Sequence, residues 1–365
     1  MPSIPSESRV ARAPRPELQA IEPVPHGGYT SRTGDAAVLD FSSNVNPYGH
    51  SPRIWSAIRD VPLDRHPDPT AALLRRRLAE SNGVSADEVL VGNGSIELLY
   101  ALALAYLRAG DRVVVVGPTF GEYAKAAAMM GATVVAWRNE EEPFAVSVAA
   151  LARHLREVRP TMVFLCNPNN PTGQRLDEDA VRVIAESCGD GLLVLDEAFI
   201  RFVRPPLVVR GDARAANVLV LRSMTKDYAL TGLRLGYALA SRDVLAAMAK
   251  VQPPWSVNAL AQAAGVAALD DEAHLRSSMA AVARAKESLV ARVERLGLPV
   301  VPSQVHYFLV RVPSARVCAE GLLRSGILVR DGTSFGLPHH VRIATRRPEE
   351  NRELVRALAA WKEPR

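Results

Sequence analysis

The segment Ser223-x-Thr225-Lys226-x7-Arg234-x-Gly236 gathers an amine, two hydroxyls and a guanidinium in one short stretch. A lysine that attacks a carbonyl to form an imine must spend part of its time deprotonated, which nearby cations and partial desolvation favour. Hydroxyls and a guanidinium are the donors that a phosphate dianion requires. A lysine on a solvated helix face is the plain alternative, since Lys is seldom buried. Lysine is scarce in this chain, however. Among 44 basic residues only Lys125, Lys226, Lys250, Lys286 and Lys362 are lysines, and only Lys226 has such company.

Three further polar groups follow apolar runs. Gly92-Asn93-Gly94-Ser95 opens an apolar helical stretch; free N–H groups at a helix start hold phosphate, and glycine lets the backbone come close. A strand-to-helix turn with a serine cap reads the same way. Asn170 lies in the turn Asn167-Pro168-Asn169-Asn170-Pro171-Thr172-Gly173, where turn chemistry alone accounts for an Asn. Asp196 ends the run Leu192 to Leu195, as a cap, a metal ligand or a carboxylate at the mouth of a buried strand.

Placing these groups together requires a scaffold. Strands are read at Glu88 to Val91, Arg112 to Val116, Thr133 to Trp137, Met162 to Cys166, Leu192 to Leu195, Val218 to Leu221 and Leu235 to Leu239, with helices between, such as Gly121 to Met130 and Asp177 to Ser187. Such alternation predicts an α/β fold with a mainly parallel central sheet covered by helices. Ligands of open α/β sheets bind beyond the carboxyl ends of the strands, where the polar groups above recur. After a helix over Asp271 to Leu296, strands at Val305 to Val312, Ile327 to Arg330 and Val341 to Thr345 and a last helix predict a smaller α+β domain. The expected divisions are a disordered tail over 1–25, an arm joining the small domain over 26–60, a large domain over 61–270 and a small one over 271–365.

The chain has 365 residues, net charge +5 and 5% aromatics. Its arginines are scattered among acids without interleaved aromatics, which argues against a nucleic-acid partner. The longest clean apolar run, Leu98 to Leu107, is about half of the ~20 residues a membrane span needs. Residues 1 to 25 hold six prolines, charges of both signs and no apolar core of a secretory signal. Cys166, Cys188 and Cys318 show no pair or metal spacing, so a cytoplasmic setting and no metal are expected.

From about His26 onward the chain resembles the pyridoxal-5′-phosphate enzymes of the class I/II aminotransferase family. The resemblance rests on five motifs in the family's order: Gly92-Asn93-Gly94-Ser95-Ile96-Glu97, Pro118-Thr119-Phe120-Gly121-Glu122-Tyr123, Asn169-Asn170-Pro171-Thr172-Gly173, Asp196-Glu197-Ala198-Phe199 and the lysine segment. It implies pyridoxal 5′-phosphate as cofactor, bonded to Lys226, with Asp196 at the pyridine nitrogen, Tyr123 stacked on the ring and Asn170 at the phenolic oxygen. Gly94, Ser95, Ser223, Thr225 and Arg234 would hold the phosphate. His66, where the family commonly has Tyr, would reach the phosphate of a neighbouring subunit in a homodimer.

Arg330 and Arg342 each interrupt an apolar strand pattern, so they snorkel out or face the cleft. Family arginines at these positions bind anionic substrate groups, which implies a small anionic, phosphorylated amino acid. His26, Gly27, Asn46 and Asn170 complete the substrate residues implied. Within the family, His26-Gly27-Gly28, Leu39 to Pro47 and Pro254 to Leu260 are similar to threonine-phosphate decarboxylases of cobalamin biosynthesis. The Pro47-Tyr48-Gly49 turn and Asp331 to Val341 are equally similar to histidinol-phosphate aminotransferases, which usually carry Tyr where this chain has Phe199. Decarboxylation of O-phosphothreonine is the leading expectation, transamination of histidinol phosphate or a related amine the alternative, and a non-catalytic homologue the remote one.

Overall fold

The computed structural model describes residues 13–19, 21–28, 38–203 and 216–362. Its strands in chain order are β1 (Leu39–Asp40), β2 (Val89–Asn93), β3 (Arg112–Gly117), β4 (Thr133–Arg138), β5 (Met162–Cys166), β6 (Leu192–Asp196), β7 (Val218–Ser223), β8 (Leu235–Leu239), β9 (Tyr307–Arg311), β10 (Ile327–Leu328), β11 (Arg330–Asp331) and β12 (His340–Ala344). Seven of them form one sheet in the order β2-β8-β7-β6-β5-β3-β4. Only β8 runs against its neighbours, as the α/β expectation requires.

Both faces of this sheet are covered, so its strands read as continuous apolar runs. The two-residue period sorts them: Val114, Val116, Val163, Leu165, Leu193 and Leu195 enter one core. Val113, Val115, Met162, Phe164, Leu192 and Val194 enter the other.

The antiparallel strands β11-β12-β9 and the parallel pair β1-β10 make two smaller sheets. The run read as one strand over Ile327 to Arg330 is two, because β10 pairs with β1 and β11 turns to pair with β12. The helix Glu272–Arg295 links the cores: Leu275, Met279 and Val282 pack with Phe199 and Tyr307, whereas Leu289 and Val293 pack with Phe308 and Ile343.

The stretch expected as a disordered tail, 1–25, lies partly outside the described residues. Its described part is an ordered arm: Pro16–Leu18 forms a 3₁₀ turn, and Arg15 Nη2 donates to the Met129 carbonyl at 3.1 Å. Among the described residues no helix is long and apolar enough to cross a membrane, and no cluster of side chains is arranged to hold a metal ion.

Candidate active site

The carboxyl ends of β2, β5, β6 and β7 open into a cavity of about 780 Å³ that contains Ser95, Asn170, Asp196, Ser223, Thr225 and Lys226. Because β8 is antiparallel, its amino end and the preceding Arg234 come to the same rim. A larger cleft of about 1230 Å³ lies elsewhere; there Glu142 is paired with Arg311 and His340, and Lys362 donates to the Leu296 carbonyl.

At one end of the cavity, Gly94 at φ +77° starts the helix Ser95–Tyr106, whose first N–H groups have no partner within the helix. Gly236 stands opposite both Gly92 and Ser223 in the ladders. A Cβ on Gly236 would lie 2.3 Å from the Ser95 nitrogen, so glycine is what lets β8 close against the turn. Ser223 Oγ and Thr225 Oγ1 are 2.6 Å apart, and Arg234 Nη1 donates to the Thr231 carbonyl at 2.9 Å. Helix N–H groups, hydroxyls and a guanidinium thus form a cradle of anion-holding donors.

Asp196 is buried near the other end. Its Oδ2 accepts the Tyr123 hydroxyl at 2.6 Å and its Oδ1 the Ala198 N–H at 2.9 Å. Burial raises its pKa, and these two hydrogen bonds oppose the rise. Between cradle and acid, the Lys226 amine is pushed down to about 8 by burial and by the Arg342 and Arg234 cations, with Asp196 pulling the other way. A lysine with that pKa is partly neutral near pH 7–8, the state a nucleophilic amine requires. The set therefore fits a phosphorylated pyridine aldehyde: donors for the phosphate, an amine for the aldehyde and a carboxylate for the ring nitrogen.

Arg330 and Arg342 are register partners across β11 and β12, which sets both side chains on one face, and both line the cavity. Arg342 is buried, hydrogen-bonds Asn170 Oδ1 and the Ser42 carbonyl, and lies over the Tyr307 ring at 5.6 Å. Burial and the neighbouring Arg330 push its pKa down to about 10, against the influence of Tyr307. Arg330 donates to the Pro25 carbonyl and to Ser334 Oγ, each at 2.7 Å. Two cations side by side in a cavity favour a bound anion.

Gly94, Ser95, Tyr123, Asn170, Asp196, Ser223, Thr225, Lys226, Arg234, His26, Gly27, Arg330 and Arg342 all border this cavity, so the fold brings these residues, scattered along the chain, to one place. Three roles change. Tyr123 is not poised to stack on a bound ring, because its own ring is stacked on Phe164 at 5.2 Å and its hydroxyl is bound to Asp196. Half-buried Phe120, edge-on to Tyr123 at 5.6 Å, is the aromatic of that motif with a ring left at the cavity wall. Asn46 does not border the cavity: its Nδ2 donates to the Asp227 carbonyl and Ser278 Oγ and its Oδ1 accepts from the Tyr48 N–H, so it fixes the chain under the site. His66 lies outside this cavity, stacked on Trp255 at 4.4 Å. Sequence reading missed Asn44, whose buried Oδ1 has no partner and which borders the cavity two residues before the Asn46 it singled out.

A mainly parallel seven-stranded sheet with a lysine, a buried aspartate and a phosphate cradle at its carboxyl edge defines a pyridoxal-phosphate-dependent enzyme. The chain belongs to the aminotransferase class I and II family, whose profile matches residues 36–358. It is 40% identical over 338 residues to the histidinol-phosphate aminotransferase of Symbiobacterium thermophilum, covering 88% of this chain and 90% of that one. The histidinol-phosphate aminotransferase of Sinorhizobium meliloti, solved with pyridoxal-5′-phosphate, shares the fold with a TM-score of 0.88 at 24% identity, covering 98% of this chain and 99% of that one. The L-threonine-O-3-phosphate decarboxylase of Porphyromonas gingivalis superposes with a TM-score of 0.78 at 28% identity, over 89% of this chain and 99% of that one.

Proposed function

We propose that this enzyme transfers the amino group of histidinol phosphate, or a closely related amino phosphate, to 2-oxoglutarate. The observation that carries the reading is the Arg330–Arg342 pair beside Lys226. Histidinol phosphate has no α-carboxylate, so both guanidiniums are available to its phosphate and no carbon dioxide can leave. The same arginines suit a carboxylate of 2-oxoglutarate in the second half of the cycle. Curated relatives named histidinol-phosphate aminotransferase, at 40% and 36% identity, support this reading over the decarboxylation of O-phosphothreonine favoured by local strings.

Pyridoxal phosphate, when bound, supplies an aldehyde for the substrate amine and an electron-poor ring that accepts the electron pair of the α-carbon. The protein's part is binding and proton movement. Gly94 and Ser95, with Ser223, Thr225 and Arg234, would hold the phosphate. Asp196, oriented by Tyr123, would pair with the ring nitrogen, Asn170 would meet the phenolic oxygen, and Phe120 would cover the ring. Arg330 and Arg342 orient the substrate by its anion, which presents the α-hydrogen to Lys226. Lys226 Nζ then takes that proton and returns it, a role suited to an amine whose pKa lies at about 8.

The homodimer implied by the family resemblance, with His66 reaching the neighbouring subunit, is kept as part of this reading. So is a cytoplasmic setting, which the buried unbridged Cys166, Cys188 and Cys318 support. Holoenzyme given histidinol phosphate and 2-oxoglutarate should form glutamate. Carbon dioxide from O-phosphothreonine without an acceptor, together with no glutamate from histidinol phosphate, would overturn the reading.

A further inference from the structure

Glu122 is a buried carboxylate in the wall of the cavity that none of the roles above uses. Its Oε2 is taken: the Tyr100 hydroxyl donates to it, and Lys125 Nζ lies 3.5 Å away. Its Oε1 instead meets an imidazole, the ring of His26, whose Nε2 is 3.1 Å distant. That ring also leans over Phe120, with centroids 5.8 Å apart and planes at 54°. The two partners are unequal. The Glu122 side chain is 5% exposed and fixed on a helix, whereas the His26 side chain is 56% exposed and belongs to the arm.

The residue before His26 touches the other end of the site, where the Pro25 carbonyl accepts a hydrogen bond from Arg330. Two consecutive residues of the arm therefore bridge Arg330 and Glu122, a reach of about one residue plus an imidazole side chain. A short molecule with an anion at one end and an imidazole at the other has the same layout.

We propose that Glu122 is a specificity-determining residue that accepts the imidazole N–H of the substrate at Oε1, in the place the His26 ring occupies in this structure. The inference rests on the reading that histidinol phosphate is the amino donor. Tyr100 and Lys125 hold the carboxylate so that one oxygen faces the cavity, and Phe120 offers a surface for the ring. A carboxylate left without its N–H donor in a buried wall disfavours substrates that have a methyl group there, which is how a polar site rejects an apolar analogue.

The test is binding to the holoenzyme in its aldehyde form of two phosphorylated ketones, which cannot donate an amino group. One is the ketone counterpart of histidinol phosphate; the other is 1-hydroxybutan-2-one phosphate, with a methyl group in place of the imidazole. Glu122→Ala should raise the Kd of the imidazole ketone by about tenfold or more and that of the methyl ketone by less than about twofold. Glu122→Gln keeps an acceptor oxygen and the side-chain shape, and should fall between wild type and Glu122→Ala for the imidazole ketone. Equal weakening of both ligands in both variants assigns Glu122 a structural role, and no weakening of either removes the subsite; both results overturn the proposal. Selective weakening with no turnover of histidinol phosphate by wild type keeps the subsite and refutes the amino-donor reading. Turnover without selective weakening does the reverse.

Discussion

The Tyr123 hydroxyl donates a 2.6 Å hydrogen bond to Asp196 Oδ2, and both groups are buried at the end of β6. With Ala198 N–H on the other oxygen, this bond holds the acid in one orientation and favours its ionised form. Tyr123→Phe deletes only the donor. Losing a hydrogen bond to a charged group is worth about 1.5–3 kcal/mol, so kcat should fall about tenfold to a hundredfold. Since the hydroxyl lowers the pKa of Asp196, its removal lets that pKa rise, and the acid limb of the kcat profile should move to higher pH. An unchanged acid limb would mean that Tyr123 serves packing alone.

The Lys226 pKa sets a second pH dependence. In the cofactor-free protein the neutral amine is the reactive form, so recombination with pyridoxal phosphate should quicken as pH rises, with a midpoint near the amine's value of about 8. Arg342 lowers that pKa. Arg342→Ala should therefore move the midpoint upward while leaving the phosphate cradle intact. Stopped-flow absorbance across a pH series measures both values, and a downward move would contradict the assigned coupling.

Gly236 separates the cradle from simple sheet packing. A methyl group at this position meets the Ser95 nitrogen at 2.3 Å and the Gly94 carbonyl carbon at 2.8 Å. Gly236→Ala must push the turn away from β8, at a cost of about 1–3 kcal/mol of stability. Retention of pyridoxal phosphate on dialysis should fall as well. Ala in place of Gly232, which has nothing within 4 Å of its Cβ position, is the control for dialysis and thermal melting.

The central sheet was legible because burial on both faces writes strands as short β-branched runs. Met162–Cys166 and Leu235–Leu239 fall on their expected limits. The site was legible for a related reason, since polar residues directly after such runs must lie at the carboxyl edge. Tyr123 and Phe120 were not distinguishable, because both are aromatics of one motif and only the fold shows which meets Asp196. Asn46 stood among the substrate residues through the resemblance alone, and its partners, Asp227 and Ser278, are too distant in sequence to be read from its neighbourhood. The role of Glu122 depends on His26, which comes from an arm far from it in the chain and carried no strand or helix pattern. The Ile327 to Arg330 run concealed a change of sheet, because two short strands with different partners leave the same apolar pattern as one.

The most direct test of the amino-transfer account is a single half-reaction. Holoenzyme mixed with histidinol phosphate and no acceptor should lose its visible cofactor band and yield one equivalent of ketone per site; 2-oxoglutarate added afterwards should restore the band and release one glutamate. A band that persists with histidinol phosphate, alongside repeated carbon dioxide release from O-phosphothreonine with no acceptor present, would contradict the account.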